Sequence, residues 1–288
     1  MSTLCRCGFT LLLFVLTTAA ALADPALWKI QRGNSTVYLF GTVHVLPPDI
    51  QWHYAALDHA LKVSDVLYVE LVDDDQATMQ PLVTRYGIDV AHPLSGELDA
   101  NDEQRLRAAA QTAALPPQAL DVMKPWLAAV ALTVAPIVKA GFDPESGVDK
   151  RLRHDFAATG KPVRGLETAE QQIRYFADLS KTVQISMLRS TLDDYDKAAT
   201  ELNELVADWQ HGDVDAIAAL ENSDMRGKYP VLYDTLLTDR NERWAQQIAR
   251  LLQQHGTVFI AVGAAHLAGP DDVQSQLRKA GIVATRVH

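Results

Sequence analysis

Cysteine is scarce in this sequence: its 288 residues include two cysteines, Cys5 and Cys7. Both precede Ala23, after which we expect the chain to be cleaved, so the mature protein would contain no thiol. Disulfide bonds then cannot stabilise the fold, and thiolates can serve neither as nucleophiles nor as metal ligands. The scarcity of cysteine therefore excludes disulfide-rich scaffolds, cysteine hydrolases and thiolate metal centres.

Long apolar runs are missing after the first 23 residues. Within that segment, Arg6 gives a positive start, residues 9–15 form a short apolar run, and Ala21-Leu22-Ala23 matches an A-x-A cleavage site. This is the pattern of a signal peptide, whereas a membrane-spanning helix needs about 20 apolar residues. We therefore expect a periplasmic or secreted protein, cleaved after Ala23, with no membrane span afterwards. An uncleaved anchor is the alternative.

Positive charge is outnumbered: 26 Lys and Arg against 36 Asp and Glu give a formal net charge of −10, and no basic cluster offsets it. This balance argues against nucleic-acid binding, which needs a positive surface facing the phosphates. The sequence also lacks a G-x-S-x-G elbow, a P-loop and a G-x-G-x-x-G motif. Serine hydrolases and nucleotide-binding proteins are thus unsupported. The expected partner is a peptide or small-molecule substrate, and nothing in the sequence indicates an oligomeric state.

The two ends of the chain carry most of the strand-forming segments. Residues 36–41 and 66–72 are rich in β-formers, and residues 50–63 between them have apolar residues at helical spacing. Residues 257–262 form a nearly continuous apolar run, as expected of a strand covered on both faces. Residues 282–287 close the chain as a further strand. Both ends therefore follow the strand, helix, strand order of a parallel pairing.

Most of the middle of the chain is predicted to be helical. The predicted segments are helices over 101–114, 117–139 and 271–280, two or three helices within 169–221, and a short strand candidate over 162–166.

We therefore predict an α/β fold of mixed α+β character, with a central mixed, largely parallel sheet built from both chain ends and a large helical insertion between them. After the signal peptide 1–23, residues 24–288 are expected to form a single domain. Its sheet-forming ends are 24–75 and 250–288, and its mainly helical middle is about 76–249.

The same short motif follows a β run near each end of the chain: a glycine, two further residues and a histidine. Gly41 and His44 form the first copy, and Gly263 and His266 form the second. Glycine permits a tight turn and close backbone approach, and the histidine then stands at the carboxyl end of the sheet, where open α/β sheets bind ligands. Two imidazoles from opposite chain ends can converge on one ion or one substrate atom. The alternative is that each histidine caps its own strand.

Two glutamates occupy similar positions. Glu70 lies within the second strand, where burying a charge is costly unless the group is paired or coordinates an ion. The alternative places it on the solvent face of a half-exposed strand. Glu167 follows the short strand candidate, and its alternative is the first turn of the next helix, with Thr168 or Glu170 taking part in capping.

Two histidines with one or two carboxylates match the ligand set of a divalent metal ion, and the sequence does not distinguish Mn, Co, Zn or Fe. Further polar candidates are Asp149, Arg240 and Asn241. Arg240 could bind a carboxylate or an oxyanion. A helical surface with ion pairs is the alternative for the segment that contains Arg240 and Asn241.

These residues resemble the TraB/PrgY/GumN family. The resemblance extends in order through nearly the whole mature chain. It is carried by residues 39–44, 68–70, 147–149, 165–168, 239–241 and 262–270.

The resemblance implies a fold related to the erythromycin-esterase and haem-binding ChaN-like groups, and kinship with the Tiki proteins, which are described as membrane-tethered metal-dependent proteases. It implies that His44 and His266 are metal-site histidines and that Glu70 is an active-site carboxylate. It also implies that four further residues line the site. They are Asp149, Glu167, Arg240 and Asn241. We expect this chain to depart from Tiki, because no membrane anchor is predicted after the signal peptide.

The leading hypothesis is a periplasmic metal-dependent hydrolase that acts on peptide bonds. Glu70 or Glu167 would transfer the proton of the attacking water, and Arg240 would stabilise the developing negative charge. The first alternative is a non-catalytic protein that sequesters a peptide or another small ligand. The second is a haem-binding protein with His44 or His266 as an axial ligand.

Overall fold

A computed structural model describes residues 24–288, and the signal-peptide prediction for 1–23 lies outside the described residues. A six-stranded sheet has the order β4-β3-β5-β2-β1-β6. The first four strands in this order are parallel, and β1 pairs antiparallel with β2 and with β6. The mixed, largely parallel sheet is therefore confirmed. The strands are β1 Leu27–Arg32, β2 Ser35–Thr42, β3 Val66–Val69, β4 Val163–Gly165, β5 Gly256–Gly263 and β6 Thr285–Arg286.

The two central strands, β2 and β5, are buried on both faces. In β2, Phe40 packs into one hydrophobic core and Leu39 into a second core on the opposite face. In β5, Phe259 and Ile260 are divided between the same two cores. This division follows from the two-residue period of a strand. It explains why continuous apolar runs, and not alternating ones, predicted both strands.

Three strand predictions need correction. The strand predicted over 282–287 is limited to Thr285–Arg286. The strand over Leu27–Arg32 was not predicted, and it forms a hairpin with β2 through Gly33, which has a φ of +58°. The strand predicted over 66–72 ends at Val69, so Glu70 lies just beyond it and not within it. At this position the backbone amide of Gly263 donates to the side-chain carboxylate of Glu70 at 2.7 Å, and not to a backbone carbonyl.

Fourteen α-helices among the described residues surround the sheet or extend from it. They are α1 Ala55–Val63, α2 Gln76–Gly87, α3 Ala100–Thr112, α4 Pro117–Asp121, α5 Pro125–Lys139, α6 Val148–Ala158, α7 Ala169–Ala177, α8 Lys181–Asp194, α9 Ala198–Gln210, α10 Val214–Ile217, α11 Ser223–Lys228, α12 Pro230–Tyr233, α13 Asp239–Leu251 and α14 Val273–Lys279.

The helix predicted over 117–139 is two helices, because Lys124 leaves the helical path. Its amide donates to the carbonyl of Gly87 at 2.7 Å, and Pro125 then starts α5 at a position where proline is favoured. The segment 169–221 contains four α-helices where two or three were predicted. A third core, separate from the two cores of the sheet, lies among the helices α3, α4, α5 and α8. No helix within residues 24–288 has the length and apolar character needed to cross a membrane.

Phe40 is the residue through which the central sheet contacts the segment before α1 and the helix α9. Its ring lies 6.1 Å from that of Phe259, 6.1 Å from that of Trp52 and 6.3 Å from that of Trp209. We expect Phe40→Ala to lower the free energy of unfolding by about 3–5 kcal/mol, because the cavity cannot close within the sheet. Urea denaturation followed by circular dichroism measures this. Val90→Ala, at a side chain that is 76% exposed, is the control, and an equal effect of both substitutions would contradict the prediction.

Candidate active site at the carboxyl edge of the sheet

Four of the predicted site residues follow the four parallel strands at one edge of the sheet. His44 comes two residues after β2, Glu70 directly after β3, and Glu167 two residues after β4. His266 lies in a 3₁₀ turn, Ala264–Leu267, that begins where β5 ends. This is the carboxyl edge, where parallel sheets place their ligands. The topology therefore brings residues from both ends and the middle of the chain into one region.

The two histidines converge on one oxygen atom of Glu70. His44 Nε2 and His266 Nε2 each lie 3.9 Å from Glu70 Oε1. Gly263 lies at the centre of this convergence, since a Cβ atom there would be 3.2 Å from both Glu70 Oε1 and His44 Nε2. Gly41 lies within β2 and does not end it. A Cβ at Gly41 would be 3.1 Å from the backbone of Ala264, so both glycines serve close approach.

Each imidazole is oriented through its Nδ1 atom. His44 Nδ1 lies 3.0 Å from Asp149 Oδ1, and His266 Nδ1 lies 2.6 Å from Asn241 Oδ1. The Asn241 amide is itself fixed, because its Nδ2 donates to the carbonyl of Asp271 at 2.9 Å. Asn241 Oδ1 is therefore an acceptor. His266 Nδ1 must carry a proton, which it donates to Asn241 Oδ1. This leaves His266 Nε2 with a lone pair.

Arg240 is the cation behind these groups. Its guanidinium donates to Glu70 at 2.5 Å and to Glu167 at 2.8–3.2 Å, and its Nη1 donates to His266 Nε2 at 3.1 Å. The rings of Tyr175 and Trp244 lie 5.4 Å and 4.7 Å from its Cζ. Of the two alternatives for Arg240, the exposed ion-paired surface is wrong, because the side chain is buried and binds two carboxylates.

The electrostatic environments of the three converging residues differ. Loss of part of its hydration would lower the pKa of His44, but the hydrogen bond to Asp149 and the carboxylates of Glu70 and Asp149 raise it to about 9. Burial and the charge of Arg240 lower the pKa of His266 to about 3. Burial would raise the pKa of Glu70, but Arg240, the two imidazoles and the Gly263 amide hold it below its usual range. In this arrangement a proton resides on His44, while Glu70 is ionised and His266 is neutral.

A small cavity of about 230 Å³ opens over part of this arrangement. His44 and Glu70 line it together with Asp149 and Gln172, and the side chain of His44 is 58% exposed. The side chain of His266 is 7% exposed and does not line the cavity. Arg240, Glu167 and Asn241 also lie behind the lining residues. Only some of the predicted site residues can therefore touch a molecule in this cavity.

Four residues that the sequence analysis did not single out also shape the site. Gln172 donates to Glu167 at 3.2 Å and to Glu70 at 3.5 Å, and Tyr175 donates to Glu167 at 3.0 Å. They lie three residues apart on α7, whose start is marked by a capping box between Thr168 and Gln171, not Glu170. That box was a usable signal, because it fixes which α7 side chains face back to the strand end. The other two residues are Trp244, which packs on the His266 ring, and Asn222, which donates to the carbonyls of Ala265 and Ala268.

The donor chemistry of His44, Glu70 and His266 fits a divalent metal ion. Two imidazoles and one carboxylate are a common ligand set, and histidine ligands in metal sites are typically held through their second nitrogen, as both are here. Ligands about 2.0–2.2 Å from an ion lie ~3–4 Å apart, which is close to the two 3.9 Å separations. Within residues 24–288, no group of three or more His, Cys, Asp or Glu side chains is placed so that it could hold a metal ion. Arg240 Nη1 donates to His266 Nε2, so the lone pair of this imidazole is already used.

Comparison with known proteins identifies relatives of unassigned function. The uncharacterized protein YbaP of Escherichia coli strain K12 is 27% identical over 259 residues, which cover 88% of this chain and 92% of the relative. An uncharacterized protein of Treponema pallidum strain Nichols is 23% identical over 266 residues, which cover 88% of this chain and 80% of the relative. No solved structure matches the chain.

The chain also matches a protein family over nearly all of its described residues. The TraB/PrgY/gumN family matches residues 26–286, a range that includes all six strands of the sheet and both Gly-x-x-His motifs. The residues that converge at the carboxyl edge all lie inside this range. The chain therefore belongs to the TraB/PrgY/gumN family.

Proposed function

We propose that this protein is a metal-dependent hydrolase of carbonyl substrates such as peptide bonds, with His44, Glu70 and His266 as the residues that hold a divalent ion. The observation that supports this most strongly is the convergence of two imidazoles, each oriented through Nδ1, on one carboxylate oxygen beside a cavity. When bound, such an ion would lower the pKa of a water molecule and polarise a carbonyl group.

The chain's own residues divide into two groups in this proposal. His44 and Glu70 line the cavity, so they can contact substrate or the attacking water. The hydrogen bond to Asp149 favours the protonated form of His44, and this proton must leave if Nε2 is to bind an ion. Glu70 keeps its charge through Arg240 and the Gly263 amide, so it can accept a proton.

The second group lies behind the cavity and positions the first. Glu167, Arg240 and Asn241 are buried. Arg240 donates to Glu167 and to Glu70, and Asn241 accepts from His266. All the nitrogen atoms of Arg240 already donate to protein acceptors, so we assign it a positioning role and not contact with a developing oxyanion. Glu167 likewise holds Arg240 in place, which leaves Glu70 as the carboxylate that can transfer a proton.

Binding of a ligand without turnover is a second candidate function. The Arg240 hydrogen bond to His266 favours it, because this contact uses the lone pair that an ion would need. The same cavity would then hold a small ligand against His44 and Glu70. Haem binding is less well supported, since 230 Å³ is below the ~300–1,000 Å³ of ordinary small-molecule pockets.

Export to the periplasm or the medium is part of the proposal and is supported by the sequence of residues 1–23. We expect protein recovered from the periplasm or the medium to start at Asp24, as measured by intact mass and N-terminal sequencing. Ala23→Phe should accumulate the longer form, because cleavage needs a small residue at that position. Recovery of the full-length chain from the cytoplasm alone would refute export.

His44→Ala tests the metal-dependent activity. We expect loss of bound metal after equilibration with Mn, Co, Zn and Fe, measured by elemental mass spectrometry. We also expect a fall of about 10²-fold or more in cleavage of a peptide library, because one ion ligand in contact with the cavity is removed.

His92→Ala is the matched control for this experiment. His92 is another exposed histidine whose Nδ1 lies 3.0 Å from an aspartate, Asp89, and it does not line the cavity. It should retain both metal and activity. If His44→Ala retained both as fully as the control, the proposed function would be lost. Metal binding without cleavage by the wild type would favour the ligand-binding function instead.

Asp149→Asn tests the electrostatic coupling at the cavity in metal-free protein. The pKa of His44 should fall from about 9 toward 6.5, as measured by imidazole NMR, because the partner carboxylate is removed. A folded-state pKa above the unfolded value stabilises the fold below pH 6.5, and this stabilisation is lost as the pH rises through 9. The stability difference between wild type and variant should therefore be larger at pH 6 than at pH 10. A pH-independent difference with an unchanged His44 pKa would contradict this.

A further inference from the structure

Arg240 is fully engaged by buried acceptors. Its Nε donates to both oxygens of Glu167, and its Nη2 donates to Glu167 and Glu70. Its Nη1 donates to the carbonyl of Leu236 at 3.2 Å and to His266 Nε2 at 3.1 Å. The Nη1 contact to His266 is different in kind from the others, because its acceptor is the atom that an ion would need.

His266 has no second lone pair to offer. Its Nδ1 proton goes to Asn241 Oδ1, and this assignment is fixed by the Asn241 contact to the carbonyl of Asp271. A neutral imidazole has one acceptor nitrogen, so Nε2 can either accept from Arg240 or bind an ion. The two states exclude each other. The guanidinium also carries a positive charge next to the place where a cation would arrive, which opposes the ion further.

We propose that Arg240 controls metal binding at His266: its Nη1 must leave His266 Nε2 before an ion can bind there. This inference rests on the proposed function, because it concerns the same three metal-binding residues, His44, Glu70 and His266. Because the guanidinium is planar and rigid, Nη1 can leave only if the whole group shifts, which also changes the contacts of Nε and Nη2 with Glu167. The metal affinity of the wild type is therefore lower than the ligand set alone would give.

Arg240→Lys separates the hydrogen bond from the charge. Lysine keeps a positive charge near Glu70 and Glu167, but its single ammonium group cannot reproduce the guanidinium fork that reaches both a carboxylate and His266. With the charge kept, the change in metal affinity reports mainly on the lost Nη1 contact. A charge-assisted hydrogen bond of this kind corresponds to about a tenfold to hundredfold change in affinity.

The experiment uses the mature chain and Zn²⁺ as the probe, with dissociation constants measured by competition with a chromophoric chelator. Arg240→Lys should bind Zn²⁺ at least about tenfold more tightly than the wild type. Arg250→Lys, at an exposed arginine on the same helix, should leave the affinity unchanged. Adding His266→Ala to Arg240→Lys should abolish the gain, because the freed lone pair is then missing.

The outcomes separate this inference from the proposed function. Wild type that binds Zn²⁺ as tightly as Arg240→Lys would overturn the inference and leave the metal centre standing. A gain that persists without His266 would also overturn it. If neither protein binds Zn²⁺, or any of Mn²⁺, Co²⁺ and Fe²⁺ in the same assay, both the inference and the metal centre fail.

A measurement on the wild type covers the case in which Arg240→Lys does not fold. In ¹⁵N-labelled protein, Zn²⁺ should shift the His266 Nε2 resonance and at the same time expose the Arg240 Nη1 protons to faster exchange with water. Zn²⁺ binding that shifts His266 while the Arg240 protons keep their protection would overturn the inference.

Discussion

Parallel pairing between β2 and β5 joins the two ends of the chain in the middle of the sheet. Gly41 pairs with Val262 and Thr42 with Gly263, so the segments that leave the two strands start side by side, about 5 Å apart. A register slip of one residue would turn alternate side chains to the wrong face and disrupt both cores of the sheet. The apolar residues that fix the register thereby also fix where His44 lies relative to His266.

The cost of this arrangement is a group of buried charges. Glu70 and Glu167 lie close to each other at the strand ends, with side chains that are 12% and 3% exposed, and Arg240 between them makes their burial tolerable. Replacing buried ion networks by packed apolar side chains is often neutral or stabilising. A network beside a cavity that holds a carboxylate ionised and an imidazole neutral is of the kind that clusters at functional sites.

The sequence predicted the central strands because burial on both faces leaves continuous apolar runs. It did not predict β1, where polar residues such as Lys29 interrupt the apolar ones and the pairing with β2 decides the conformation. Arg240 remained open between two alternatives, although Trp244 one helical turn later marks the buried face of α13. The contact between Gln172 and Glu70 joins positions 102 residues apart, so no local pattern could predict it.

The histidines of the two Gly-x-x-His motifs lie in different environments. His44 faces a carboxylate partner, Asp149, and lies open to the cavity, whereas His266 faces a neutral amide, Asn241, and an arginine, and lies buried. A molecule that enters the cavity meets His44 first and reaches His266 only past Glu70 and the Arg240 contact. The repeat of the motif in the sequence therefore does not imply two equivalent ligands. His44 is open to solvent, whereas His266 is held in a fixed position. The different partners of the two histidines determine this difference.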